Sequence, residues 1–191
     1  MKKIGLTGVI GSGKTTAANY FRDLGISVFI ADNCAKKLME SDFELKNEII
    51  DLLGESSYID NKLNKKFISE NIFSNKLLLE SINGLIHPKV QIAFDIWLDK
   101  QESKYVIYEA ALIFENNSEN FFDKIICIKT PLNIIHDRIS IRDNYSKDLV
   151  NKILDSQLNQ DIKCSRSDFC IQNNSKEKLF EEIHRIHKSL L

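Results

Sequence analysis

The sequence predicts an α/β protein, a five-stranded parallel sheet flanked by helices, and three observations carry that reading. Residues Gly8 to Thr15 read Gly-Val-Ile-Gly-Ser-Gly-Lys-Thr, a complete G-x-x-x-x-G-K-[ST] phosphate-binding loop. Five short apolar, β-branched runs recur at Ile4 to Thr7, Ile26 to Ile30, Tyr105 to Tyr108, Lys124 to Ile128 and Asp168 to Ile171. Helical patterns separate these runs. Strands alternating with helices form right-handed crossovers and a sheet covered on both faces, with ligands at the carboxyl edge of the strands.

The first run leads directly into the loop, and Thr16 to Phe21 continue it as a helix, which is the setting the motif requires. Four of the seven glycines fall within the first thirteen residues. Glycine lets the backbone curl so that successive N–H groups point inward, and the following helix adds its positive N-terminal dipole, so Gly11, Ser12, Gly13, Lys14, Thr15 and Thr16 are expected to hold nucleotide phosphates. Lys14 should reach the β- and γ-phosphates, and the Thr15 hydroxyl should bind Mg²⁺ bridging them.

The second run ends at Ile30, which places Asp32 on the same sheet edge as the loop. Phosphoryl transfer to a hydroxyl needs a group that orients the acceptor and takes its proton, and an Asp near Mg²⁺ suits that task. Asp is equally suited to cap a helix starting at Asn33. The long stretch before the third run carries helical patterns at Glu44 to Leu53, Lys65 to Phe73, Lys76 to Ile86 and Lys89 to Lys100, too many for one crossover. Residues 32–100 therefore read as an inserted helical subdomain between core segments 1–31, 101–130 and 164–191.

Glu109 ends the third run, where an acidic residue can help to hold Mg²⁺, and Glu115 lies a little further on. Either carboxylate could instead pair with a basic residue as a structural group. Over 131–163, Thr130 can cap a helix with Pro131 at its first position and Ser146 can cap a second, giving a two-helix hairpin. Arg138 and Arg142 share one helical face, followed by Lys147, Lys152 and Lys163. A basic hairpin beside a phosphate loop reads as a closing lid.

The chain has 191 residues, 43% of them hydrophobic and 28% charged, which suits one compact soluble unit. No apolar run approaches a membrane span, and the N-terminus enters a strand at once, so a cytoplasmic protein without a membrane partner is expected. The net charge of −1 gives no global attraction to nucleic acid. The four cysteines show no C-x-x-C pair, and Cys127 and Cys170 lie in strand-like runs where a buried thiol acts as a small hydrophobe. His184 and His187 belong to a terminal helix.

Several separated blocks together are similar to the bacterial dephospho-CoA kinases. Ile4 to Thr16 resembles that family's L-T-G-G-I-G-S-G-K-S/T loop with Val9 in place of the second glycine. Leu24 to Asp32 resembles the stretch ending in D-A-D, Ile86-His87-Pro88-Lys89-Val90 a leucine-His-Pro block, and Leu112 to Glu115 the end of P-L-L-F-E. Arg138 to Asp143 resembles the R-x-x-x-R-D lid, and Ser167 to Asn173 echoes A-D-x-x-I-x-N near the end. Departures are Ile30 for the first Asp of D-A-D, Lys36 for Arg, Ala111 for Pro and Asn64-Lys65 for an Asp-Arg pair.

The resemblance implies a P-loop kinase fold and ATP-dependent phosphorylation of the ribose 3′-hydroxyl of dephospho-coenzyme A, and a monomer is expected over an oligomer. It implies Asp32 as catalytic base, Lys14 and Arg142 as charge-neutralising groups, and Asn173 and Arg142 beside the nucleotide. His87, Glu115 and the inserted helices would face the acceptor. Two other readings compete. A nucleoside or nucleotide monophosphate kinase shares the loop and lid, but a proline before the second loop glycine is absent. A GTP-dependent switch would use Asp51-Leu52-Leu53-Gly54 as D-x-x-G, yet no N-K-x-D motif exists and Asn61-Lys62-Leu63-Asn64 ends in Asn.

Overall fold

The computed structural model describes residues 1–72, 75–143 and 145–191, the side chains of Lys76 and Asp143 excepted; the end expected for a helix at Phe73 lies outside them. Along the chain run β1 (Lys2–Thr7), α1 (Lys14–Asp23), β2 (Ser27–Ile30), α2 (Ala31–Ser41), α3 (Phe43–Leu53), β3 (Tyr58–Ile59), β4 (Lys62–Leu63), α4 (Lys65–Ile72) and α5 (Lys76–Leu98). They are followed by β5 (Tyr105–Glu109), β6 (Lys124–Lys129), α6 (Leu132–Asp143), α7 (Lys147–Asp155), α8 (Gln160–Arg166), β7 (Phe169–Gln172) and α9 (Lys176–Leu190).

The main sheet has the order β2-β5-β1-β6-β7 with every pair parallel. β1 is its middle strand, in register with β5 over Lys2–Leu6 and with β6 over Ile4–Thr7. One face carries Ile4, Leu6, Ile107, Ile126, Ile128 and Ile171 against Ala17, Ala18 and Phe21 of α1 and Leu179, Ile183, Ile186 and Leu190 of α9. The α9 residues recur at helical spacing, so one face of that helix is buried along its whole length. Ile125 points by strand alternation to the other face, where it packs with Ile113 and Phe114.

By its contacts the chain divides into Met1–Ile30 with Gln101–Leu191, and Ala31–Lys100. In the second unit α5 packs against α2, α3 and α4. The two helices expected at Lys76 to Ile86 and Lys89 to Lys100 are one helix with Pro88 inside it. Ile82, Ile86, Val90 and Phe94, all buried at four-residue steps, continue one apolar stripe across the proline, and that burial outweighs the backbone hydrogen bond the proline removes. β3 and β4 form a small antiparallel hairpin whose turn residues Asp60 and Asn61 both have positive φ, 50° and 63°. Asp51 to Leu53 lie in α3, which rules out a D-x-x-G switch loop there.

Three further expectations are corrected. The segment 131–163 holds two helices and the start of a third, α8. The Thr130 side chain does not cap α6, because its buried hydroxyl donates to the Ser12 carbonyl at 2.8 Å; the helix starts at Leu132, with the Pro131 carbonyl accepting from Ile135. Cys170 is exposed and disulfide-bonded to Cys164, since β7 is an edge strand and its outward side chains meet α8. Ser146 does cap α7, accepting from Leu149 N at 3.3 Å.

Candidate active site

The phosphate loop leaves the carboxyl end of the middle strand and enters α1. Gly8 and Gly13 have φ of 150° and 99°; a Cβ at Gly8 would run into the Ile128 carbonyl and Ser12 Oγ, and one at Gly13 into Asn173. Only glycine fits either position. Position 9 has no such demand, because Val9 is absent from the residues with positive φ and its side chain is buried with Ile135, Ile139 and Val150. The family's glycine there is therefore replaced without backbone strain.

Lys14, Thr15 and Thr16 form the first turn of α1, whose N–H groups have no partner within the helix and carry its positive dipole. Thr15 and Thr16 are exposed, whereas Lys14 is buried and its Nζ donates to the Gly8 and Val9 carbonyls at 2.9 and 3.2 Å. The lysine thus lies across the loop, its charge held on the loop's own carbonyls. Ser12 N donates to Val9 O at 3.1 Å, closing a turn around Ile10 and Gly11, and Ser12 Oγ is buried without a hydrogen-bond partner.

A shell of side chains behind the loop fixes it. Ser12 O accepts from Thr130 Oγ1 at 2.8 Å and from Asn173 Nδ2 at 2.7 Å. Asn173, expected beside the nucleotide, is only 2% exposed and supports the loop from behind. Gln160 pairs with both backbone groups of Thr130, at 3.1 and 3.0 Å. Arg138 Nη1 donates to Gly11 O at 3.3 Å, while Arg142, one turn on, is exposed in the last turn of α6.

Glu109 is buried at the end of β5, and Ala110 N, next in the chain, bonds to Leu6 O. Glu115, expected to face the acceptor, occupies the place of a structural carboxylate instead. It accepts from Leu158 N at 2.7 Å and from the fully buried Lys163 at 2.7 and 3.0 Å. Lys163 also donates to Ala111 O at 2.6 Å, which accepts from Thr7 Oγ1 at 3.2 Å. Lys163 therefore belongs to the interior and not to a basic lid face, and the Ala-for-Pro departure at 111 loses nothing, since a carbonyl is common to both. Cys127 on β6 has its thiol pushed up to about 11 by burial, so it is an inert hydrophobe.

In the unit Ala31–Lys100, Asp32 is exposed in the first turn of α2, which starts at Ala31; it does not cap a helix starting at Asn33. Its charge suits the positive end of that helix. His87 on α5 is half-buried, and burial lowers its pKa below the usual 6.5 while the Asp32 carboxylate works to raise it. The structure therefore brings Asp32 and His87 into electrostatic reach of each other. In the sheet unit Arg138 reaches the loop at Gly11 O, and Arg142 lies one turn further along α6. Gln157 and Gln160 escape sequence reasoning, and Thr130 is read there only as a helix cap, because their partners lie more than twenty positions away and no spacing motif marks them.

The dephospho-CoA kinase family profile matches residues 2–178. A dephospho-CoA kinase of Fusobacterium nucleatum is 35% identical over 98% of this chain and 97% of its own, and one of Bacteroides fragilis is 32% identical over 95% and 89%. The crystal structure of TT1252 from Thermus thermophilus has a TM-score of 0.89 at 25% identity, covering 100% of this chain and 97% of that one. A dephospho-CoA kinase from Campylobacter jejuni has a TM-score of 0.61 at 27% identity, covering 99% and 97%. A shikimate kinase from Acinetobacter baumannii, 14% identical with a TM-score of 0.56 over 100% and 93% of the two chains, shares the fold. With a phosphate loop of this build at its centre and that profile matched along nearly its whole length, the chain belongs to the dephospho-CoA kinase family.

Proposed function

We propose that the protein transfers the γ-phosphoryl group of ATP to the ribose 3′-hydroxyl of dephospho-coenzyme A, giving coenzyme A and ADP. The observation that carries this reading is the built phosphate loop, with Lys14 laid across it, in a chain of that family. The first-turn N–H groups of α1 bind the phosphates, and Lys14 exchanges its loop carbonyls for the β- and γ-oxygens. Arg142 neutralises charge that spreads over the transferred group. Asp32 orients the hydroxyl and takes its proton, with His87 and the helices of 32–100 on the acceptor side. The segment 131–163 supplies the lid.

Thr15, exposed at the start of α1, and Glu109, at the end of β5, offer a hydroxyl and a carboxylate, the hard oxygen donors that Mg²⁺ takes while keeping most of its waters. The residues present fit that ion. When bound, Mg²⁺ would supply positive charge that offsets the negative charge of the nucleotide phosphates. No helix among the described residues is long and apolar enough to cross a membrane. We take the protein to act as a cytoplasmic monomer on a small-molecule acceptor, with no nucleic-acid partner; sedimentation at assay concentration tests the monomer.

An ADP-release assay with ATP, Mg²⁺ and a panel of acceptors tests the activity. Release dependent on dephospho-coenzyme A is the expected result. Release with nucleoside monophosphates alone, or GTP hydrolysis without an acceptor, would replace this reading with one of its competitors.

A further inference from the structure

The α6–α7 pair grips the phosphate loop at three successive residues. Val9 is buried among Ile135, Ile139 and Val150, and Gly11 O accepts from Arg138. Between them, Ile10 N donates to Gln157 Oε1 at 2.9 Å. Gln157 lies just beyond α7, and its own backbone is fixed on both sides: its N–H bonds to Leu154 O at 3.0 Å, and the next amide, Leu158, bonds to Glu115 at 2.7 Å. The side chain is aimed by that framework.

The peptide unit joining Val9 to Ile10 is thus held at both ends. Its carbonyl accepts from Ser12 N and from Lys14 Nζ, and its N–H is taken by Gln157. A peptide is planar, so fixing the N–H direction fixes the carbonyl direction too. We infer that Gln157 is a positioning residue: by holding the Ile10 amide it sets the orientation of the Val9 carbonyl on which Lys14 rests, and so presets the lysine for nucleotide phosphates. It couples the end of a lid helix to the loop through one hydrogen bond. This inference rests on the proposed role of the loop in binding ATP and names no contact between Gln157 and substrate.

The test compares Gln157→Met, which keeps length and packing but removes the acceptor, with Gln157→Glu, which keeps an acceptor oxygen at the same reach. Binding of a non-hydrolysable ATP analogue should weaken about five- to tenfold in Gln157→Met, the scale of one hydrogen bond, and be substantially restored in Gln157→Glu. In steady state the KM for ATP should rise by the same factor while the KM for dephospho-coenzyme A stays put. The Ile10 amide should exchange faster with solvent in ligand-free Gln157→Met than in the wild type or in Gln157→Glu. A loss shared equally by both substrates, equal behaviour of the two variants, or an unchanged Ile10 amide would overturn the positioning role. Wild-type protein that binds the analogue yet transfers nothing to dephospho-coenzyme A would sink the proposed activity and leave the Gln157 comparison readable from binding; wild-type protein that binds no analogue would sink both.

Discussion

Replacing Lys163 by Met removes a fully buried ammonium that donates to Ala111 O at 2.6 Å and contacts both oxygens of Glu115. Methionine fills the space of the aliphatic stem, so the loss is polar. What remains is a carboxylate whose side chain is 19% exposed, with Leu158 N as its surviving partner among these bonds. Breaking one partner out of a buried pair costs roughly 3–5 kcal/mol, and the residual exposure of Glu115 puts this case near the lower end, about 3 kcal/mol. In a chain of 191 residues that corresponds to a drop in Tm of roughly 6–12 °C. Adding Glu115→Gln removes the orphaned charge while its amide oxygen still accepts from Leu158, so the double variant should recover about 1.5 kcal/mol of the loss. Chemical denaturation of the wild type, both single variants and the double variant measures each term. A single-variant cost under about 1 kcal/mol, or a double variant less stable than Lys163→Met alone, would refute the pairing.

Asp32→Asn should leave ATP affinity nearly unchanged and cut turnover by about two orders of magnitude, as loss of a general base does. The same variant should lower the NMR titration midpoint of His87 further below 6.5, because the Asp32 carboxylate is the charge that raises it; an unmoved midpoint would separate the two residues. Because folding depresses the His87 pKa, the unfolded chain binds more protons between that depressed value and 6.5, so its contribution to stability is intact above 6.5 and is lost as pH falls through that window. Lys14→Ala should abolish transfer and leave the Tm within a few degrees, as read by the ADP assay and calorimetry; near-normal turnover would remove it from the phosphate site. Hydrogen exchange should show α8 protected even without ligand, with protection on adding ATP analogue and acceptor gained over 138–155; equal exchange there in free and liganded protein would end the lid reading.

The sheet was legible because its five strands are dense β-branched runs and its loop is a fixed motif. Burial of one charged side chain was not. Lys163 follows a series of basic residues, and nothing local distinguishes it from Lys147 or Lys152; its partner Glu115 lies forty-eight positions away. The two helical patterns on either side of Pro88 are one helix, because the buried stripe from Ile82 to Phe94 runs across the proline and tertiary packing rewards it. The apolar character of its strand predicts a buried Cys170, while its exposure follows from the strand lying at a sheet edge, which the order along the chain does not reveal. The β3–β4 hairpin has two residues in each strand, too few for an alternation to register. In the site, the loop residues could be read outright, but the side chains that brace them from positions 130, 157 and 160 are selected by three-dimensional proximity alone, and Asn173 is marked only by the family resemblance.

The middle position of β1 has a consequence for how the chain is made. Its two neighbours begin at residues 105 and 124, and the brace on Ser12 O comes from residue 173. A nascent chain emerging from the ribosome therefore has its phosphate loop outside long before anything exists to hold it. The 31–100 unit, which is one continuous segment of the chain, can organise during synthesis, whereas the first strand must wait for nearly the last. Chains cut short before Asn173 would carry the motif intact and yet present no formed cradle for a nucleotide.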